Sequence, residues 1–429
     1  MRVAIVGAGA AGIAAASAAA KRGVQVTLVE AGRIGGNGWT GDLLGSKVFL
    51  EAAAGGEKDL NAIWRRRLAD EEEVTGRLRE ELDEKGIRSL SGRATFRSPA
   101  AMEVGGKPLP ADGFILATGS RPRMDSRFPY DGERVFTTRD ALRGGRCPGS
   151  ILVVGSGPSG TEYAHLYAAF GARVTLLASR EHLLPWEDPD VAAAVTKAFR
   201  ERGIGVETKA RVENIQVEGE GVRATCADGR EFSAEAALLA IGEEANVADL
   251  NLAAGGLSLD EKGRLPAGKW GETSVPGVYV AGDLTGRFRL ASVAARQGEV
   301  AVGHLLGEPV EPLDYSGVVA AVFSEPQVAS CGVTETVATW RRLPVRIWKV
   351  ELGGLKLLLT KRAGGFCKVT VDEGSGVVLG ASVVGGEAAE LAGALSLAVR
   401  AKMTAGDLVK AFQVTPSWAE NLGNLCPVG

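Results

Sequence analysis

The sequence contains few residues that carry redox or acid–base chemistry near neutral pH. It has five cysteines and three histidines in 429 residues, and no two cysteines are spaced like a metal site or a local redox pair. We therefore expect no metal centre. Lysine and arginine number 49 against 52 acidic residues, and this near balance gives no sign of nucleic-acid binding.

Long apolar runs are also missing. No stretch approaches the roughly 20 apolar residues of a membrane-spanning helix, so we expect no membrane span. The first apolar strand begins at residue 2, so we expect no signal peptide before it. These absences favour a cytoplasmic protein.

Glycine is abundant, and one glycine-rich turn organises the start of the chain. An apolar strand at residues 3–6 leads into this turn, followed by a helix, a second strand and Glu30. Gly7 permits a sharp turn, Gly9 lets the backbone approach a pyrophosphate, and Gly12 allows close helix–strand packing. The helix N-terminus attracts phosphate, and Glu30 can accept hydrogen bonds from a ribose diol. The pattern predicts a dinucleotide-binding fold rather than a buried glycine turn without a ligand.

The same order of elements occurs a second time. An apolar strand at residues 151–154 leads into a glycine turn at residues 155–160, a helix, and another strand at residues 173–177. Two dinucleotide folds in one chain imply two nucleotides brought together, usually a flavin and a nicotinamide. The residues expected to approach the second nucleotide are Gly155, Gly157, Ser159 and Gly160.

The end of the second fold favours NADPH over NADH. The strand is followed by Ala178, Ser179 and Arg180, so no carboxylate is present to hold a free ribose diol or to repel a 2′-phosphate. Ser179 and Arg180 can supply a hydroxyl and a cation to that phosphate. The alternative is that Arg180 is merely exposed.

Other segments predict a mixed α/β chain with a different C-terminal part. Residues 51–86 are charged and helix-prone, and residues 290–306 are expected to be helical. Residues 365–384 predict antiparallel hairpins, and residues 388–402 an amphipathic helix. Several buried strands end in glycine, at Thr118-Gly119, at Gly242 and before Asp283.

With these motifs, the chain resembles the pyridine nucleotide–disulfide oxidoreductase family over essentially its whole length. The resemblance implies two Rossmann-like dinucleotide-binding domains, for FAD and NAD(P), and a C-terminal α+β dimerisation domain through which a homodimer forms. The motifs are residues 117–119, 273–283, 323–335, 379–381 and 385–390. The expected domains are residues 1–125 with 250–312 for FAD, 126–249 for NAD(P), and 313–429 for dimerisation.

The redox disulfide of that family is missing. Alignment of the flanking Gly-Gly and Ser-Lys pairs puts Gly38 and Leu43 at the two cysteine positions. The family's His-Pro pair is replaced by Thr415-Pro416, and threonine cannot shuttle a proton near neutral pH. The glutamate of that motif remains, as Glu420. Loss of both cysteines and the histidine together predicts that dithiol–disulfide chemistry is gone.

The flavin side matches the family. Lys47 corresponds to the lysine near the flavin's hydride-accepting nitrogen and Glu162 to its carboxylate partner, so these two are the expected catalytic pair. Pro158 replaces an aromatic lid found in some members, which puts gating there in doubt. The resemblance and the glycine turns together predict these cofactor contacts: Gly7, Gly9, Ala11, Gly12, Glu30, Gly36, Lys47, Ala94, Thr118, Gly119, Asp283 and Ala291 for FAD, and Gly155, Gly157, Ser159, Gly160, Ser179, Arg180 and Gly242 for the nicotinamide nucleotide.

We therefore expect an FAD-dependent NAD(P)H oxidoreductase that reduces a small acceptor other than a disulfide. A quinone, a second nicotinamide or another small oxidant are the candidates. Trp39 and Trp418 could form an aromatic wall for the acceptor or pack at a subunit interface. The alternatives are a non-catalytic flavoprotein that binds a partner, and thiol chemistry through Cys426 on a tail expected to be frayed and inert.

Overall fold

The computed structural model of this protein describes residues 1–360 and 364–428. The chain folds as two compact units, each assembled from three separate segments. The first unit comprises Met1–Phe49, Asp59–Arg123 and Glu243–Leu313. The second unit comprises Leu50–Lys58, Met124–Gly242 and Asp314–Gly429, of which residues 361–363 and 429 lie outside the described residues.

The described residues combine parallel sheets and helices with several antiparallel strands, which is a mixed α/β arrangement. The strands are β1 (Arg2–Val6), β2 (Gln25–Glu30), β3 (Arg88–Ser91), β4 (Ala94–Ser98), β5 (Ala101–Val104), β6 (Lys107–Leu109), β7 (Gly113–Leu116), β8 (Ser120–Pro122), β9 (Val135–Thr137), β10 (Ser150–Val154), β11 (Arg173–Leu177), β12 (Gly205–Glu207), β13 (Val212–Glu218), β14 (Gly221–Cys226), β15 (Glu231–Ala234), β16 (Ala236–Leu239), β17 (Glu243–Ala245), β18 (Val278–Val280), β19 (Val319–Val322), β20 (Gln327–Gly332), β21 (Val345–Leu352), β22 (Gly365–Asp372), β23 (Val378–Gly385) and β24 (Cys426–Pro427). The α-helices are α1 (Ala10–Ala20), α2 (Gly36–Trp39), α3 (Asp42–Ala54), α4 (Leu60–Glu84), α5 (Pro158–Ala169), α6 (Pro189–Glu201), α7 (Ala291–Leu305), α8 (Glu335–Arg341), α9 (Gly354–Thr360), α10 (Ala388–Arg400) and α11 (Ala405–Lys410).

The first unit is built on a parallel sheet with the strand order β18-β7-β1-β2-β3. Its strands are apolar because helices and strands cover both faces of the sheet. The alanine-rich helix α1 packs into the core beside Ile5 and Leu28, since small side chains permit close approach. A three-stranded antiparallel sheet, β4-β5-β6, packs its Phe96 against the other face.

The second unit contains a parallel sheet with the order β12-β11-β10-β16-β9. The antiparallel strands β13, β14 and β15 follow its crossover helices. A larger sheet with the order β19-β20-β23-β22-β21-β24 occupies the C-terminal part. Helix α10 buries Leu391 and Leu395 in the core of that sheet, so this part is α+β.

Most predicted elements are present, and the predicted α/β class is confirmed. The helix expected at residues 290–306 is α7, and the expected hairpins include the antiparallel pair β22–β23. The helix-prone stretch at residues 51–86 is helical except for a break between α3 and α4. Gly56 has φ +78°, which ends α3, and the side chain of Asp59 then caps α4 by accepting from Ala62 N at 3.0 Å. Within the described residues, no helix combines the length and apolar character needed to cross a bilayer.

Candidate functional site

The first glycine turn connects β1 to α1 and leaves an open space above one of its glycines. A Cβ at Gly7 would lie 2.3 Å from the carbonyl oxygen of Ala117, and a Cβ at Gly12 would lie 1.7 Å from that of Gly7. Both glycines are therefore required by the protein's own packing. A Cβ at Gly9 would meet nothing within 4 Å. Because Gly9 is also the N-cap of α1, this space suits a phosphate group.

Glu30, at the end of β2, is held in place by two backbone donors. Its Oε2 accepts from Ala8 N at 2.6 Å and its Oε1 accepts from Gly32 N at 2.7 Å. Each carboxylate oxygen keeps a further lone pair. The carboxylate thus fits the expected ribose diol without losing its internal partners.

The rest of the expected flavin contacts lie in the same unit. A Cβ at Gly36 would lie 2.9 Å from the Cα of Gly9, so this residue backs the glycine turn. Ala11 packs against Gly282, whose N–H donates to Gln297 Oε1 at 2.8 Å. Ala94 is buried in β4, and Ala291 begins α7.

The turn after β7 is fixed by Asn246, which sequence reasoning missed. Thr118 Oγ1 donates to Asn246 O at 2.7 Å, and Asn246 Nδ2 donates to Thr118 O at 3.2 Å. The Asn246 N–H donates to Gly119 O at 3.0 Å. No local signal could have identified this partner, because it lies far along the chain.

The segment from Gly36 to Lys47 forms α2 and the start of α3. A Cβ at Gly38 would lie 3.8 Å from the Cβ of Ala291, so the first expected cysteine position faces the start of α7. Leu43, at the second position, is 41% exposed. Further along, a Cβ at Gly45 would lie 2.5 Å from Arg67 Nε. Glycine at this position therefore makes room for a guanidinium.

All five cysteines belong to the second unit, and each is a free thiol. Burial raises the pKa of Cys331 to about 11, and burial together with the neighbouring Cys331 raises the pKa of Cys367 to about 12. Burial also raises the pKa of Cys147 and of Cys226. These four are therefore protonated at neutral pH and poor nucleophiles.

The second glycine turn, between β10 and α5, repeats the geometry of the first. A Cβ at Gly155 would lie 2.2 Å from Ala240 O, and one at Gly160 would lie 1.9 Å from Gly155 O. A Cβ at Gly157 would meet nothing within 4 Å. Ser159 is exposed in the first turn of α5, and Pro158 occupies its start, where the missing N–H costs nothing. The turn fits a second phosphate.

Beyond β11 the chain presents exposed polar and basic groups. Ala178 is fully buried, whereas Ser179 and Arg180 are exposed. Lys209 donates its backbone N–H to Arg180 O at 2.9 Å, and its ammonium lies 3.0 Å from Glu181. This group fits a 2′-phosphate, and Lys209 is a basic neighbour that sequence reasoning missed. Gly242, with φ +103°, ends the neighbouring loop.

Lys47 and Glu162 lie in different units. Lys47 is half-buried on α3 in the first unit. Glu162 is buried on α5 in the second unit, where its Oε1 accepts from Phe323 N at 2.8 Å. The pairing of the two side chains stays a prediction.

The C-terminal residues correct two expectations. Trp418 is only 3% exposed and packs in the core of the second unit, so it is neither an acceptor wall nor a subunit contact. Trp39 is 48% exposed and stays a candidate wall. The tail is not frayed, because β24 pairs with β21 and places Cys426 opposite Lys349. Glu420 is half-buried nearby in sequence, and Thr415 is exposed.

Among the described residues, Asp188, Asp190 and Glu335 form the one group of acidic side chains close enough together to bind a metal ion. The ammonium group of Lys368 lies among them. Lys368 Nζ lies 2.9 Å from Asp188, 2.7 Å from Asp190 and 2.7 Å from Glu335. Lys368 is 3% exposed and Asp188 is fully buried. Burial alone would lower the pKa of Lys368, but hydrogen bonds to these carboxylates raise it. The cluster is therefore an ion network in which Lys368 and Asp188 are buried, whereas Asp190 and Glu335 are partly exposed.

Comparisons with known proteins agree with this architecture. The family described as pyridine nucleotide-disulphide oxidoreductase matches residues 1–298, and its dimerisation domain matches residues 318–426. The chain is 32% identical to an "NAD(P)H dehydrogenase (quinone)" of Mycobacterium tuberculosis, covering 97% of this chain and 91% of that protein. It is 30% identical to a dihydrolipoyl dehydrogenase of Bacillus subtilis, covering 98% and 97%.

A solved structure extends the likeness to three dimensions. The crystal structure of LpdA from Mycobacterium tuberculosis matches with a TM-score of 0.92 and 31% identity, covering 99% of this chain and 98% of that one. The chain belongs to the pyridine nucleotide–disulfide oxidoreductase family and is an FAD-dependent pyridine nucleotide oxidoreductase.

Proposed function

We propose that this enzyme passes electrons from NAD(P)H through FAD directly to a small acceptor other than a disulfide, and that the acceptor is a quinone. The observation that carries the proposal is the position of the thiols. Gly38 and Leu43 stand where the family's two cysteines are expected, and the first unit contains no cysteine. The turn that fits FAD is nevertheless intact, so the flavin lacks a sulfur relay within its own unit.

A quinone is favoured over the other small oxidants by two observations. The relative that is 32% identical over 97% of this chain carries the name NAD(P)H dehydrogenase (quinone). The segment that replaces the disulfide also exposes apolar surface, because Trp39 is 48% and Leu43 is 41% exposed. Apolar and aromatic side chains suit a flat aromatic acceptor. A second nicotinamide is the competing acceptor.

The protein's own residues bind and orient the reactants and supply charges that stabilise them. Bound FAD would accept a hydride and release it to the acceptor. Gly9 and Gly157 leave space for the two pyrophosphates, and Glu30 holds the ribose of FAD. Lys47 supplies a cation that favours a reduced, anionic ring, and Glu162 is its proposed carboxylate partner.

NADPH is the proposed hydride donor. Ser179 and Arg180 are exposed at the end of β11, with Lys209 beside them. A 2′-phosphate would gain charge-assisted hydrogen bonds from these groups. Residues 178–180 offer no carboxylate to a free ribose diol, and the carboxylate of the next residue, Glu181, is paired with Lys209.

We further propose that the enzyme is a cytoplasmic homodimer formed through residues 313–429. The dimerisation domain of the family matches residues 318–426. This part of the chain exposes Leu397, Phe412 and Val414, each more than half exposed in the single chain, and such apolar surface is typical of a subunit interface. The FAD domain is proposed as residues 1–125 with 250–312 and the NAD(P) domain as residues 126–249.

Anaerobic reductive titration tests the electron path. One equivalent of NADPH should bleach the flavin fully, with no thiolate-to-flavin charge-transfer band, and a quinone should then restore the oxidised spectrum in a single turnover. The variant Cys426→Ser is the matched control, because it removes the only exposed thiol among the described residues. It should behave as the wild type.

Four results would contradict the proposal. A requirement for two equivalents would reveal a second redox centre. Loss of quinone reduction in Cys426→Ser would establish thiol chemistry. No bleaching by NADPH or NADH would favour a non-catalytic flavoprotein. If NADP⁺ analogues but not quinones reoxidise the reduced flavin, the acceptor is a second nicotinamide.

A further inference from the structure

Two carboxyl groups in the first unit share one serine hydroxyl. Ser120 Oγ lies 2.5 Å from Glu243 Oε2 and 2.9 Å from Asp283 Oδ2. A serine hydroxyl has one hydrogen and can donate to only one acceptor at a time. If both carboxyls were ionised, one of them would face the lone pairs of Ser120 at hydrogen-bond distance, which is repulsive. A proton on one of the two carboxyls removes this repulsion, because the protonated carboxyl then donates to Ser120.

The strand register explains how these groups come together. In the antiparallel pair of β8 and β17, Ser120 lies opposite Ala245, so the side chain of Glu243 falls diagonally on the same face. Arg121 and Glu244 are the next residues along the two strands, so their side chains lie on the other face, where they form an ion pair at 2.8 Å. Only one of the two adjacent glutamates can therefore reach Ser120.

The surroundings assign the proton to Asp283. Partial burial raises the pKa of Asp283, and although the Ser120 hydrogen bond and Arg289 act to lower it, the nearby Glu243 raises it further. Glu243 instead has a cation beside it, because Arg289 Nε lies 3.7 Å from its carboxylate. The contact of 2.5 Å between Ser120 and Glu243 also has the length of a hydroxyl bound to an ionised carboxylate.

We propose that Asp283 is a neutral carboxylic acid in the working enzyme, donating to Ser120, which donates in turn to the Glu243 carboxylate. We also propose that this proton is needed to retain FAD. The inference rests on the proposed placement of Asp283 at the flavin's ribityl–phosphate end. A neutral acid there does not repel the phosphates, and its free carbonyl oxygen can still accept a hydrogen bond from a ribityl hydroxyl.

The consequence is a pH dependence of flavin retention set by Ser120 and Glu243. Above the pKa of Asp283 its proton is released to solvent, which leaves two carboxylates around one hydroxyl and an anion near the phosphates. Because FAD binding then requires one bound proton, the affinity for FAD should fall about tenfold for each pH unit above the pKa of Asp283.

The test measures FAD release, so it does not depend on any acceptor. Holoenzyme is diluted at a series of pH values, and the fluorescence of released FAD gives its dissociation constant. The wild type should show the tenfold-per-unit slope. Asp283→Asn, which keeps a neutral group of the same shape, should bind FAD with no such slope.

A matched pair of amide substitutions isolates the shared hydroxyl. In Glu243→Gln the serine can donate to Asp283 instead, so the transition should move to lower pH by on the order of one unit. Glu244→Gln removes the neighbouring charge on the opposite face and should leave the transition where it is. Infrared spectra of the wild type should show a protonated carboxyl band that Asp283→Asn lacks.

The proposal is overturned if wild-type FAD release is independent of pH, or if Asp283→Asn weakens FAD equally at every pH, since that would mean a carboxylate is required. Equal shifts in both glutamine variants would also overturn it. If FAD release behaves as expected while quinones are not reduced, only the proposed acceptor fails.

Discussion

Gly9→Ala is the substitution that most directly tests the first glycine turn as a phosphate site, because it separates folding from cofactor binding. The added Cβ would meet no protein atom within 4 Å. Gly9 has φ −81°, which alanine adopts without strain. In the unfolded chain alanine is less flexible, which stabilises the fold by about 0.4–1 kcal/mol. Alanine is also a poorer N-cap than glycine, by about 1 kcal/mol.

These two effects nearly cancel, so the free energy of unfolding of the apoprotein should change by less than about 1 kcal/mol. FAD binding should respond strongly, because the methyl group occupies the space where a pyrophosphate would approach the backbone. Loss of one hydrogen bond to a charged group costs about 1.5–3 kcal/mol, which corresponds to roughly 10- to 150-fold weaker binding.

Urea denaturation of the apoprotein and fluorescence titration with FAD measure the two effects separately. Gly12→Ala is the control, since its Cβ would lie 1.7 Å from a backbone oxygen and should prevent folding of the turn. If Gly9→Ala binds FAD as tightly as the wild type, the open space above Gly9 is not the phosphate site, and the assignment of this turn is wrong.

Three further predictions concern charged groups of the second unit. Lys368→Met should lower the free energy of unfolding by about 3–5 kcal/mol, because it leaves the buried Asp188 without its cation. The control Lys197→Met removes a cation from an exposed ion pair and should change the free energy of unfolding by less than about 1 kcal/mol. Urea denaturation of both variants measures the two changes. Arg180→Ala should raise the KM for NADPH roughly fivefold, about 1 kcal/mol for an exposed pair, with the KM for NADH unchanged. Burial raises the pKa of Glu187 from 4.5 to about 7, so the folded state binds this proton more tightly and stability should fall as pH rises between these values; Glu187→Gln should flatten that slope in pH-dependent denaturation.

The two dinucleotide folds could be predicted from the sequence because their physical requirements are local. A side chain at Gly12 would meet the backbone of Gly7, and one at Gly160 would meet the backbone of Gly155, in each case five residues back along the chain. The strand that follows each helix is likewise close in the chain. Short-range patterns therefore carry enough information to specify the turn, the helix and the neighbouring strand.

The parts that escaped prediction depend on contacts distant in sequence. Trp418 was expected at a surface, but it is buried by residues of the six-stranded sheet. Glu243 and Asp283 share the hydroxyl of Ser120 only because β8 pairs with β17, and no local sequence pattern predicts that pairing. The same holds for Lys368, whose three acidic partners come from two distant segments.

Residues 36–47 have Gly38 and Leu43 where the family has its two cysteines. Restoring both cysteines tests whether the backbone of this segment still has the geometry of a disulfide-containing relative. The contacts that hold the flavin turn, such as Gly36 against Gly9, do not involve positions 38 and 43. A side chain at position 38 would make only an ordinary contact, 3.8 Å from Ala291, and Leu43 is exposed. The double substitution Gly38→Cys and Leu43→Cys should therefore fold.

If the segment retains the family's geometry, the two new sulfurs should form a disulfide that the flavin reduces. The variant should then consume two equivalents of NADPH in an anaerobic titration and release two additional thiols, while each single substitution consumes one equivalent. A double variant with two free thiols and a requirement for one equivalent would show that the backbone has moved along with the chemistry. In that case the new acceptor site was reshaped, and the apolar surface of Trp39 and Leu43 belongs to a different pocket from the one the disulfide occupied.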